Sequence, residues 1–154
     1  MQPSTFSVES FLDEAVGHVV LPSQDVRIVT RVSPSGLEAV ADQARLKQVV
    51  VNLVDNAVRH SPAGGRVSVL ATAAHPDGLR LEVRDEGPGI APDERERVFQ
   101  RFTRGATSAG GTGLGLAIAR WAVELHGGTI EVMDADTGCR IGVVIPAPSV
   151  EEIS

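Results

Sequence analysis

Three stretches of the chain hold residues whose types and spacing could do chemistry. The first is QVVVNLVDNAVRHSP, residues 48–62. On a helix read over 42–60, Leu46, Val49, Val50, Leu53 and Ala57 share one face. Arg45, Gln48, Asn52, Asn56 and Arg59 form a second stripe at i, i+3, i+4 and i+7 spacing. The amides therefore lie along the edge of the apolar face, not inside it. An amide oxygen is a hard neutral ligand for Mg²⁺, and an arginine one turn further on can take a phosphate oxygen. Taken alone, the same stripe also fits a solvated helix face.

The second stretch is Asp85-Glu86-Gly87-Pro88-Gly89, at the end of an expected strand. A carboxylate there can accept from an exocyclic amine, and Gly87 and Gly89 would let a flat ring approach the backbone. By itself the pattern could equally be a turn. The third is Gly111-Thr112-Gly113-Leu114-Gly115-Leu116, which opens a helix and would present N–H groups to an anion. The dinucleotide spacing fails because Leu116 and Ile118 occupy the third-glycine positions, and no GK[ST] follows to make a P-loop. A glycine-rich hinge is the competing reading.

The elements that must position these stretches follow from periodicity and punctuation. Residues 1–6 read as a loose linker, with Ser7 and Ser10 as candidate caps of a first helix carrying Phe11, Ala15 and Val19. Residues 25–32 alternate like a strand, and 36–41 are a short second strand or loop. Asp42 is the expected N-cap of the 42–60 helix, which Pro62 and Gly64-Gly65 stop. Residues 66–74 and 78–86 form a hairpin around His75-Pro76-Asp77-Gly78. A short charged helix starts at Pro92 and ends at Phe99 or Phe102. Residues 103–113 read as a mobile loop. A helix over 114–126 stops at Gly127-Gly128, and strands over 129–135 and 139–148 make a last hairpin. The expected fold is a two-layer α/β sandwich, with a mixed, mostly antiparallel sheet of about five strands covered on one face by three helices.

Composition narrows the function. The 154 residues suit one domain, and 42% hydrophobic residues suffice for a core. The net charge of −6 argues against non-specific binding of nucleic acid or anionic membrane. One cysteine, Cys139, excludes an internal disulfide and a cysteine-cluster zinc site. Residues 1–24 lack the pattern of a signal peptide, and no run reaches the length of a membrane span. Thirteen of the fourteen basic residues are Arg, a hint of a high-GC genome.

Read together, the stretches resemble the ATP-binding catalytic domain of bacterial two-component sensor histidine kinases, over about residues 5–148. RLKQVVVNLVDNAVRHSP looks like the N box, DEGPGI the first glycine box, VFQRFTRG the F box and GGTGLGLAIAR the second glycine box, in the family's order. The resemblance implies a Bergerat fold spanning 7–148, with an ATP lid at about 91–112 and a tail at 149–154. It implies that Asn56 ligates Mg²⁺ and that Arg59 contacts the phosphates of ATP. Asp85 would accept from the adenine amine. Gly87, Gly89, Ile90, Thr112, Gly113, Leu114, Gly115 and Leu116 would line the nucleotide. Arg104 would reach the γ-phosphate, and Phe99 and Phe102 would pack the lid.

Asn52 stands where hydrolysing relatives carry a water-activating Glu, and an amide cannot act as a general base. His60 stands where Tyr or Phe is common. It could stack or hydrogen-bond to nucleotide, or interact with the last carbonyls of its helix. Cys139 replaces a usual Thr and reads as a small buried filler.

None of His18, His60, His75 and His126 lies in the H-[ED]-x-x-x-P context of a phospho-accepting box. The expected partners are therefore a His-bearing dimerisation domain of the same parent kinase and a response regulator, with no nucleic acid. The parent would sit at the cytoplasmic face of the inner membrane. The isolated chain would be a soluble monomer unable to phosphorylate itself. Two other readings share the fold: an anti-sigma-type serine kinase, against which Asn52 argues, and a non-catalytic adenine-nucleotide module.

Overall fold

The computed structural model describes residues 1–19, 26–74, 78–99, 115–133, 135 and 137–148. The chain runs β1 (Ser4–Ser7), α1 (Val8–Gly17), β2 (Arg27–Ser33), β3 (Glu38–Ala41), α2 (Gln43–His60), β4 (Arg66–Ala74) and β5 (Gly78–Asp85). Two short 3₁₀ turns follow, Pro92–Glu94 and Arg97–Phe99. Then come α3 (Gly115–Leu125), β6 (Thr129–Met133) and β7 (Cys139–Ile145).

Five strands form one sheet in the order β2-β4-β5-β7-β6. β2 pairs parallel to β4, and the other neighbours are antiparallel. The parallel pair follows from the connection: between β2 and β4 the chain passes through β3 and α2, long enough to return it to the same end of the sheet. Strand alternation sets the layers. Val67, Val69 and Ala71 of β4, Leu79, Leu81 and Val83 of β5, and Ile141, Val143 and Ile145 of β7 are buried on one face. Against them pack Leu12 of α1, seven residues of α2 from Leu46 to Val58, and Ala119, Ala122 and Val123 of α3. This is the two-layer sandwich with three helices on one face.

The helix starts obey local chemistry. Ser7 accepts from the Ser10 N–H at 3.4 Å and caps α1. Asp42 accepts from the Arg45 N–H at 3.2 Å and caps α2. His126 fixes the far end of α3: its Nε2 accepts the Asp42 N–H at 3.1 Å, so Nδ1 carries the proton and donates to the Ala122 carbonyl at 2.8 Å. The end of α3 is thereby tied to the start of α2.

Two expectations need correction. Residues 4–7 are not a loose linker: they pair antiparallel with Glu38–Ala41 in a second, two-stranded sheet, where Phe6 is buried and stacks tilted on Phe11 at 5.0 Å. The charged segment after Pro92 forms no α-helix. It makes two separate turns closed by i→i+3 bonds, Glu94 N–H to Ala91 O and Phe99 N–H to Glu96 O. Only Phe99 in these turns is buried, so there is no apolar stripe to extend them. No helix among the described residues is long and apolar enough to cross a membrane.

Candidate functional site

α2 carries the first half of the site. Its buried face leaves Asn52 and Asn56 half-exposed along one edge. Asn52 points toward the start of α3: a Cβ placed on Gly115 would lie 3.9 Å from the Asn52 Cβ. The Nδ2 of Asn52 is buried and has no hydrogen-bond partner among the described residues. Such a donor is costly to leave unmatched, and it suits an acceptor-rich ligand. Arg59 is engaged one turn back, where its Nε meets Asp55 Oδ2 at 3.1 Å. Both side chains are more than a third exposed, so the pair holds Arg59 only weakly. The His60 ring bonds the Asn56 carbonyl at 2.8 Å, which is the helix-end role.

β5 carries the second half. Its alternation puts Asp85 on the buried face, 7% exposed, with Oδ1 accepting the Gly87 N–H at 2.8 Å. Burial pushes the carboxyl above its usual range, against the opposing backbone hydrogen bonds of Gly87 and Cys139 and the nearby His60. Burial, reinforced by the Asp85 charge, also pushes the Cys139 thiol up to about 12. Cys139 is thus a protonated, buried filler beside Asp85, as its size suggested.

The glycines here let neighbouring backbone segments meet. A Cβ on Gly87 would sit 2.2 Å from the His60 carbonyl oxygen, so Gly87 lets the end of α2 touch the end of β5. Gly89, at φ +80°, admits the Gly138 carbonyl, which would lie 2.8 Å from an added Cβ. Gly138, at φ +74°, lies so close to Asp85 that a Cβ would be 2.0 Å from its carbonyl oxygen. The close approach is between protein backbones.

Beside this crossing, where β5 and β6 end and β7 begins, lies a cleft of about 350 Å³. It contains Gly89 and Ile90 from the sequence-derived set, and adds Arg95, Val132, Met133, Thr137, Gly138 and Cys139. The volume is at the lower end for small-molecule pockets. Gly138 and Thr137 belong to no motif the sequence reading used, although a Thr-Gly pair between two expected strands is a turn signal.

The structure therefore brings Asn52 beside Gly115, and His60 beside Gly87 and Asp85. Leu116 packs partly buried against the core. Arg104, Thr112, Gly113, Leu114 and Phe102 lie outside the described residues, as do the expected mobile loop and the 149–154 tail. Phe99 is buried, with the Arg120 guanidinium 5.9 Å from its ring centroid and bonded to Glu96. Among the described residues no three His, Cys, Asp or Glu side chains group as a metal site.

Fold and site together define a class. Residues 41–149 match the family described as histidine kinase-, DNA gyrase B-, and HSP90-like ATPase, and the chain belongs to that family. Within it, the chain is 40% identical over 149 residues to the signal transduction histidine-protein kinase/phosphatase MprB of Mycolicibacterium vanbaalenii, covering 92% of this chain and 30% of that relative. A solved structure of a mycobacterial sensor histidine kinase MprB superposes with a TM-score of 0.82 at 35% identity, over 95% of this chain and 99% of that one. The ATP-binding domain of PrrB from Mycobacterium tuberculosis superposes at 0.75 with 27% identity, over 97% and 100%. The fold is thus the Bergerat sandwich of histidine-kinase ATPase domains. The chain spans about a third of the length of the full kinase it matches.

Proposed function

We propose that this chain is the ATP-binding catalytic domain of a sensor histidine kinase, and that it passes the γ-phosphoryl group of bound ATP to a histidine on a separate dimerisation domain. The observation that carries the reading is the pairing of a buried carboxylate, Asp85, with an unmatched buried amide donor, Asn52 Nδ2, on facing elements. A carboxylate held in a dry position is suited to accept from the exocyclic amine of adenine, where guanine presents an oxygen. An unmatched amide beside the α3 N-terminus is suited to phosphate oxygens.

Mg²⁺ fits this donor set. The described residues offer no carboxylate cluster, so the protein would contribute the neutral Asn56 oxygen while the phosphates supply the rest. Bound there, the ion would neutralise phosphate charge. Arg59 would leave its weak pair with Asp55 to contact phosphate, and Arg104 would serve the γ-phosphate. Asn52 cannot activate water, which favours an acceptor that is its own nucleophile, a neutral imidazole. Positioning and charge neutralisation are what phosphoryl transfer chiefly requires. The phosphohistidine would then supply a response regulator, and the parent protein would lie at the cytoplasmic face of the inner membrane.

Calorimetric titration with ATP and GTP, with and without Mg²⁺, tests the binding half. The expected result is Mg²⁺-dependent ATP binding, no GTP binding, and loss in Asp85→Asn. Mixing the chain with the His-bearing domain of its parent and labelled ATP tests the transfer half. Phosphohistidine should form on that domain and not on this chain. Equal binding of GTP would overturn the assignment of Asp85, and label on the isolated chain would overturn the need for a partner.

A further inference from the structure

The sheet has a second face, opposite the helices. Its outward strand positions carry six arginines: Arg27 and Arg31 on β2, Arg66 on β4, Arg80 and Arg84 on β5, and Arg140 on β7. The same positions carry two carboxylates, Glu82 and Glu131. That is +4 on a chain whose total is −6, so the remainder carries −10. The molecule is strongly polarised, with its positive charge gathered on one side.

Folding gives no reason for this arrangement. Arg84 stands directly opposite Arg140, and Arg27 opposite Arg66, pairings of like charge that cost stability. Glu82 bridges the first pair, bonding both guanidiniums. Burial would raise its pKa, but the bonds from Arg140 and Arg84 outweigh this and hold it low, so it stays ionised. Arg27, Arg31, Arg66 and Arg80 have no ion pair among the described residues, and all four are exposed. Charges on an edge strand can protect against edge-to-edge pairing, which accounts for Arg27 and Arg31 on β2. It does not account for the interior strands β4, β5 and β7. A cleft of about 520 Å³ opens beside Arg66, Arg84 and Arg140; Asp85, Glu86, Thr137 and Cys139 also line it, so this end of the face borders the proposed nucleotide site.

We propose that this open face of the sheet docks an acidic protein surface, one presenting a compact patch of Asp and Glu carboxylates. Forked guanidiniums take carboxylates bidentately. Val29, 44% exposed, and the half-buried Leu70 and Val144 lie among the arginines and offer apolar contact that a phosphate backbone could not use. The patch is small, about 14 Å across from β2 to β7 at normal strand spacing. A long polyanion or a charged lipid plane would overrun it and meet the −10 remainder, whereas a compact acidic patch would not. The small footprint places the contact among weak, transient interfaces. The docking does not rest on the kinase reading, because it is argued from the charge of the open sheet face alone.

The test is an NMR titration of the ¹⁵N-labelled chain with a helical peptide carrying Asp and Glu along one face, at low and at physiological ionic strength. Duplex DNA and phosphatidylglycerol vesicles serve as comparators. Shifts should concentrate on β2, β4, β5 and β7, weaken with salt, and require roughly tenfold more peptide in the Arg66→Glu/Arg80→Glu variant. Both positions are exposed and have no ion pair among the described residues, so the variant should fold. An Arg97→Glu control, off this face, should keep full peptide affinity. Shifts absent from the sheet face, an equal loss in the control, or tighter binding of DNA or vesicles than of peptide would each overturn the proposal.

Discussion

The two halves of the candidate site are built differently. The half at the end of β5 is interlocked backbone: Gly87 against the His60 carbonyl, Gly89 against Gly138, and Gly138 against Asp85, with gaps too small for one extra carbon. The half on α2 is a row of side chains, Asn52, Asn56 and Arg59, standing on a helix whose stability comes from the opposite, buried face. In the first half, recognition and folding depend on the same atoms. In the second they are separable, because removing an amide from the edge of α2 takes nothing from the core.

The largest test of this difference is Gly138→Val. A side chain there faces both a positive φ and a backbone oxygen that cannot retreat. It should cost about 3 kcal/mol or more, lowering Tm by on the order of 10 °C in a chain of this size. A thermal scan followed by circular dichroism reads this directly, and an unchanged Tm would mean the crossing is soft.

Asp85→Asn should weaken ATP binding by about a hundredfold, the scale of a lost hydrogen bond to a charged group. It also carries a pH signature. Burial raises the Asp85 pKa, so its ionisation opposes folding: the unfavourable contribution is absent below the ordinary carboxylate range and develops as pH rises through the raised value. Relative to the native chain, the variant should therefore gain stability as pH rises above the ordinary carboxylate range. Parallel denaturation curves across that range would settle it, and a constant difference would contradict the buried carboxylate.

Asn56→Ala should abolish the Mg²⁺ dependence of ATP binding while moving Tm by no more than about 2 °C, the shift of a change within ±0.5 kcal/mol. A large drop in Tm would show that the two halves are not separable. Smallest of all is Asp55→Ala. Its exposed pair with Arg59 is worth about 0–1 kcal/mol, so stability should barely change. Freeing Arg59 should leave ATP affinity equal or slightly tighter by calorimetry.

The same distinction explains what could be read from the sequence. α2 was legible from cap to stop because Asp42, the apolar repeat and Pro62-Gly64-Gly65 all signal locally. The β4–β5 hairpin was legible for the same reason. β1 was not: STFS has one apolar residue in four, and its strand character comes from pairing with residues 38–41, more than thirty positions away. The short turns after Pro92 were overread as a helix because charge and a leading proline suit a helix start, while the missing apolar stripe was given too little weight. In the candidate site, Asn52, Asn56, Asp85 and the paired glycines stand out by type and spacing. Gly138 and Thr137 do not, since their place beside Asp85 depends on the register of β5 with β7. The arginine face was equally hidden, because it gathers residues from four strands separated in sequence.

The bond between Asp42 and His126 has a mechanical consequence. It fastens α2 and α3 at one end, while Asn52 and Gly115 face each other ten or eleven residues away on each helix. The tie thus lies about 15 Å from the point where the two helices meet at Asn52 and Gly115, at 1.5 Å of rise per residue. Small changes at His126 should therefore be felt where Asn52 meets Gly115, about three helical turns away.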